Sequence, residues 1–178
     1  MIIPKKTLQA LLAHASKDTT RPAQCGLFVH FDRRYVVATD GHRCAFLAVV
    51  PLPVRELDEN LAGGVLVPRA SIAAALTGAG KELEITPTEI RGGATVAYQP
   101  GPEGFPPAFR VIPRKFAKHR APTIGINGCY LEEALAFVRV ATGGTDRVDI
   151  SIGEELDPVV VEALDGRALV CIMPMRRD

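Results

Sequence analysis

A chain of 178 residues has room for one ordinary domain or for a few small repeated units, and it excludes a large multidomain enzyme. Hydrophobic residues make up 47% and charged residues 23%, with 16 Gly and 14 Pro, a turn-rich globular composition that excludes disordered and collagen-like chains. The net charge of +1 argues against strong DNA binding by charge alone, yet residues 1–120 carry 16 Lys/Arg against 10 Asp/Glu and residues 121–178 carry 5 against 10, a polarity suited to orientation on a polyanion or head-to-tail pairing of copies.

The chain opens on Ile3-Pro4, an apolar strand stopped by proline, followed by Leu8, Leu11 and Leu12 at helical spacing. Thr7 stands near the first helical turn, where its hydroxyl can cap. Lys5 and Lys6 lead into an amphipathic segment rather than a signal peptide, and no stretch approaches the roughly 18 apolar residues that span a bilayer, so a cytoplasmic protein is expected. Three β-rich runs follow, 26–31, 35–39 and 44–49, with Asp32-Arg33-Arg34 and Asp40-Gly41-His42 as tight antiparallel connections.

The same order returns twice. Val67-Pro68 leads into Ile72, Ala75 and Leu76, with Ser71 as a capping candidate, and then into runs at 82–85, 89–91 and 95–98. Ile126-Asn127 leads into Leu131, Ala134 and Leu135, then into runs at 147–152, 158–163 and 168–172. Gly78, Gly80, Gly143 and Gly144 follow the second and third helices as stop signals. Alternation places Val148, Ile150 and Ile152 on one face and Asp149 and Ser151 on the other, which predicts a sheet with one dry side. The chain therefore reads as three tandem βαβββ modules, which must pair helix beside helix under sheets meeting at their edges.

The chemistry-bearing residues are sparse. Cys25, Cys44, Cys129 and Cys171 are scattered without a C-x-x-C pair and read as reduced, mostly buried thiols. The four His residues show no metal-ligand spacing, and no cofactor motif occurs, so neither a metal nor a cofactor is expected. Asp40-Gly41-His42 has no accompanying nucleophile motif and reads as a turn, so the protein is not expected to be an enzyme. The run Arg114, Lys115, Lys118, His119 and Arg120 reads as a solvated linker with a possible phosphate contact.

Four stretches carry a family resemblance. Val37-Ala38-Thr39-Asp40-Gly41-His42-Arg43 closely resembles the V-A-T-D-G-H-R segment of the bacterial sliding clamp, the beta subunit of DNA polymerase III. Val65-Leu66-Val67-Pro68-Arg69 resembles its V-I-V-P-R-K, Gly104-Phe105-Pro106 with Arg110-Val111-Ile112-Pro113 resembles its G-R-F-P-D-Y-R-R-V-L-P, and Ile172-Met173-Pro174-Met175-Arg176 resembles its terminal V-M-P-M-R. The resemblance implies an α+β DNA clamp fold with helices on one face of antiparallel sheets. Residues 1–120 are similar to the clamp's middle domain, with modules at 1–62 and 63–120, and residues 121–178 to half of its last domain.

The same resemblance implies a peptide-binding crevice lined by Thr39, Gly41, His42, Arg43, Cys44, Pro106, Arg110, Val111, Ile172, Met173, Pro174, Met175 and Arg176. Thioethers adapt to varied apolar side chains and arginines hold carbonyls or carboxylates, which suits linear motifs of DNA polymerases and repair proteins. Cys44 stands where the family usually has leucine, Pro107 and Ala108 replace an acidic and an aromatic residue, and Arg177-Asp178 extends the end, so peptide preference is expected to differ. Duplex DNA contact is implied at Lys5, Lys6, Lys17, Arg69, Lys81 and Arg139, placed on helices lining a channel. Two functions fit: a processivity factor encircling DNA as a homo-oligomer, or a non-ring homologue that binds the same peptides as a decoy or regulator.

Overall fold

The computed structural model describes residues 1–50, 54, 63–112, 124–144, 147–153 and 156–175. The basic run 114–120 and Arg176 lie outside the described residues.

The first unit comprises β1 (Ile2–Pro4), α1 (Lys5–Leu12), β2 (Gly26–His30), β3 (Tyr35–Thr39) and β4 (Arg43–Ala48). The second comprises β5 (Gly64–Pro68), α2 (Arg69–Thr77), β6 (Glu82–Ile85), β7 (Glu89–Arg91) and β8 (Thr95–Ala97). The third comprises α3 (Gly128–Ala141), β9 (Val148–Ser151), β10 (Val159–Ala163) and β11 (Ala168–Ile172). Its opening strand is reduced to one bridge, between Gly125 and Met175.

Pro4 and Pro68 take the N-cap positions of α1 and α2 with φ −57° and −60°, which sets the chain's direction into each helix without a side-chain cap. Thr7 and Ser71 therefore do not cap as expected. The Thr7 hydroxyl instead donates to the Val140 carbonyl at 3.4 Å, tying α1 to α3. At α3 the Asn127 side chain accepts from the Cys129 N–H, a true side-chain cap.

The strands form two antiparallel sheets, ordered β1-β6-β7-β8 and β5-β2-β3-β4-β11-β10-β9. The first two units exchange opening strands: β1 lies along β6 with Ile3 opposite Leu83, and β5 lies along β2 with Val67 opposite Leu27. The third unit joins through its last strand, β11, which pairs with β4. All three helices lie on one side, with α1 contacting both α2 and α3.

A helix-side core gathers Leu8, Leu11, Ile72 and Phe137 against Leu27, Val29, Val36, Ala45, Val161, Val170 and Ile172. An outer core covers the opposite face with Phe105, Ala108, Phe109 and Ile112 over Phe28, Tyr35, Val37, Cys44, Phe46, Val160, Leu169 and Cys171. Phe109 sits 5.1 Å from Tyr35 and 5.0 Å from Phe46, and Phe105 stacks on Phe28 at 4.8 Å. Each such fully buried side chain contributes about 2 kcal/mol.

The expected single dry side is therefore wrong for the central strands, which are dry on both faces. It also fails on β9, where Ile150 is 50% exposed although it shares a face with core residues. Cys44 and Cys171 are buried, but Cys25 is half-buried and Cys129 exposed, so the thiols are not mostly buried.

Candidate functional site

The pairing of β4 with β11 brings the Asp40-Gly41-His42 turn to the Met173-Pro174-Met175 segment. Cys44 faces Cys171 and Arg43 faces Ile172 in the ladder. Just beyond it the Met173 N–H donates to the His42 carbonyl at 3.0 Å, and the Met175 N–H to Gly125 at 2.8 Å.

The turn is built to hold its shape. Gly41 has φ +92°, the left-handed region that glycine tolerates, and the Asp40 carboxylate accepts the N–H groups of His42 and Arg43 at 3.0 and 3.2 Å. The Thr39 hydroxyl donates to the Arg43 carbonyl at 2.8 Å and accepts from the Gly41 N–H at 3.2 Å, so it is committed to the turn.

Successive strand residues point to opposite faces. Cys44 and Cys171 consequently enter the outer core, together with Val111, which packs on its edge. Burial, with Cys171 beside it, pushes the Cys44 thiol well above the usual range, so it acts as a small apolar group. His42, Met173 and Met175 are exposed, Met173 by 40% and Met175 by 58%, and Pro106 and Pro174 are half-buried. Arg110 is exposed on the 3-10 turn Ala108–Val111.

Arg43 and Ile172 fall on the other face. Ile172 is fully buried in the helix-side core. Arg43, 7% exposed, pairs with Asp40 at 3.0 Å, bonds the Glu133 carboxylate, donates to the Ala13 carbonyl at 2.8 Å and lies 4.4 Å from the Tyr130 ring centroid. Ile172, expected in the crevice, instead fills the core, while Arg43 ties the turn to α1 and α3 and, with His42, lines a cleft on the helix side. Tyr130 and Glu133, three apart on α3, were missed because nothing in the helix's own pattern marks them. Beside this network His14 is buried edge-on to Phe137 at 5.5 Å, with Nδ1 3.2 Å from the Ala10 carbonyl. Burial first, and the Arg43 charge second, lower its pKa to about 4.

The helix side carries a cleft of about 1150 Å³ between the start of α1 and the end of α3. Lys5, Lys6, Lys81 and Arg139 line it, with Gly143 and Gly144, and its described lining holds no Asp or Glu. Lys17 and Arg69 do not join them but line a second cleft of about 690 Å³ at the other end of α1. Arg69 donates there to the Leu12 and Ala15 carbonyls at 2.7 and 3.1 Å, satisfying the end of α1. Lys17 and Lys81 lie outside the helices, contrary to expectation. No described helix is long and apolar enough to cross a membrane.

No protein-family model matches the chain, and no curated protein matches it in sequence. Solved structures do. The beta sliding clamp of Caulobacter crescentus matches with a TM-score of 0.68 and 20% identity, over 99% of this chain and 65% of that one. The sliding clamp of Pseudomonas aeruginosa bound to griselimycin matches at 0.66 and 20%, over 99% and 65%. The beta subunit from Streptococcus pyogenes matches at 0.67 and 18%, over 99% and 66%. This chain spans slightly less than two thirds of their length. The strand exchange, the one-sided helices and the β4–β11 junction thus give this chain the α+β fold of the bacterial sliding clamp, the beta subunit of DNA polymerase III.

Proposed function

We propose that this protein is a non-enzymatic, clamp-like accessory of DNA replication that holds linear peptides at the outer end of the β4–β11 junction. In this reading residues 1–120 act as a middle-domain-like pair of modules and residues 121–178 as half of a last domain. The observation that carries it is the meeting of His42 with Met173 and of Gly125 with Met175, which joins a rigid turn to two exposed thioethers. Flexible thioethers accommodate varied apolar side chains, and a fixed turn limits the entropy lost on binding. Pro106, Arg110, Val111 and Arg176 complete the crevice in this reading. A griselimycin-bound clamp of the same fold supports ligand binding by the architecture.

Anisotropy with a fluorescent clamp-binding peptide tests the reading. Met173→Ala with Met175→Ala is expected to weaken binding by about tenfold or more, as truncation of a hot spot does. Thermal stability should change little, since both side chains are exposed. Unchanged affinity overturns the crevice.

Lys5, Lys6, Lys81 and Arg139 serve DNA phosphates in this proposal, through contacts that are sequence-independent and salt-sensitive. Lys6→Glu with Lys81→Glu should abolish retention on duplex DNA at low salt. A second reading keeps the same crevice without encirclement, as a peptide-binding competitor. Retention of a closed oligomer on circular but not linear DNA selects the first reading, and a species never retained on circles selects the second.

A further inference from the structure

The first two units bury each other by exchange. With β5 paired to it and α2 above it, β2 buries Leu27 and Val29 completely. With β1 beside it, β6 buries Leu83 and Ile85 to 1% exposure or less. The third unit has the same parts without a mate among the described residues. Its β9, the counterpart of β2 and β6, is the edge of the seven-stranded sheet and, among the described residues, pairs only with β10.

Val148 and Ile150 stand opposite Ala163 and Val161, whose side chains belong to the helix-side core, so they face that side. Among the described residues no second helix or strand covers them, and Ile150 is 50% exposed where Leu27 is 0%.

The donor half is also unused. Ile3 and Val67, which pair with the neighbouring unit, immediately precede the N-caps Pro4 and Pro68, and Ile126 immediately precedes the N-cap Asn127. Gly125 is bridged to Met175. Alternate residues of an extended strand turn their N–H and C=O groups to opposite edges, so Ile124 and Ile126 direct theirs away from Met175. These are the positions equivalent to the ones that pair in the first two units: Ile3 with Leu83, and the Ile85 N–H with the Met1 carbonyl at 2.8 Å.

We propose that a second copy of this chain completes the third unit. Residues 124–126 of each copy add to β9 of the other, with Ile126 opposite the partner's Val148 and Ile124 opposite the partner's Ile150, and α3 lies beside its counterpart as α2 lies beside α1. Donor segment and acceptor edge sit on one unit, so a two-fold axis satisfies both at once. Any other partner would have to bring its own strand and helix in this register. The contact differs from head-to-tail pairing of the basic and acidic parts, because it joins two segments that each hold 5 Lys/Arg against 10 Asp/Glu. Salt should therefore strengthen it by screening like charge, whereas salt would weaken a head-to-tail contact.

Light scattering on size-exclusion fractions over a concentration series tests this. The wild type is expected to reach twice 19.1 kDa, more readily at raised salt. Ile150→Lys should return it to one chain mass with an unchanged circular dichroism spectrum. Val96→Lys, on the separate open edge β8, should leave the dimer intact. As a check free of substitutions, hydrogen exchange should slow at β9 amides on concentrating the wild type, and not at β8. A single chain mass at every concentration, a dimer indifferent to Ile150→Lys, a dimer dissolved by salt, or protection confined to β8 would each overturn the proposal.

Discussion

Arg43 shows how a residue beside the proposed binding turn can belong to the scaffold. Its guanidinium meets two carboxylates, a helix-terminal carbonyl and a ring, which uses the planar fork in a way a lysine ammonium cannot. Arg43→Ala leaves the 17%-exposed Asp40 carboxylate without its partner and is expected to cost about 3 kcal/mol, read as a lower urea midpoint. Glu133→Gln should cost well under that, since Glu133 is 44% exposed and solvent screens its charge.

His14 adds a pH dependence of known sign. Its folded pKa, about 4, lies below the ordinary imidazole value of 6.5, so the unfolded chain binds a proton that the folded one refuses. Its contribution is fully present above pH 6.5 and is lost as pH falls towards 4, by an amount on the order of 3 kcal/mol. His14→Leu should flatten that part of the stability profile, measured by urea unfolding across the interval. The sequence hid both roles. Arg43 stands between Asp40-Gly41-His42 and an apolar strand, and its face is set by the register of β4 against β3 and against β11, the latter over a hundred residues away.

Strands and helices were more legible than faces. Proline after an apolar pair, followed by apolar residues at helical spacing, marked β1 with α1 and β5 with α2, because proline stops the strand and permits the helix turn. Period-two polarity failed in β2, β3, β4 and β11 because covering segments bury both faces, so Ala45 and Phe46 are equally apolar although they enter different cores. The segment 105–112 supplies the outer cover, and no repeat predicts it. The start of β5 depends on that cover. A Cβ on Gly64 would lie 2.0 Å from the Phe28 ring, which itself stacks on Phe105. Gly64→Ala should displace the stack and cost about 1–3 kcal/mol in thermal or urea unfolding, with Phe28→Leu partly relieving the clash.

At the scale of the molecule, one ladder unites the parts. It makes a single seven-stranded sheet from strands of all three units, joining the first unit to the third, so the proposed crevice exists only when both of these are folded. A chain ending before β11 should therefore expose the edge of β4 and the apolar groups of both cores, and should scatter light at concentrations where the whole chain stays clear. The same feature sets an order of events during synthesis. Strand β4 is made more than a hundred residues before β11, an interval on the order of ten seconds at ordinary translation rates. Throughout it β4 presents an unsatisfied backbone edge to the cell. The ladder that ends by joining the first unit to the third thus begins as a period of risk, and a chaperone contact with the nascent chain is most valuable during that wait.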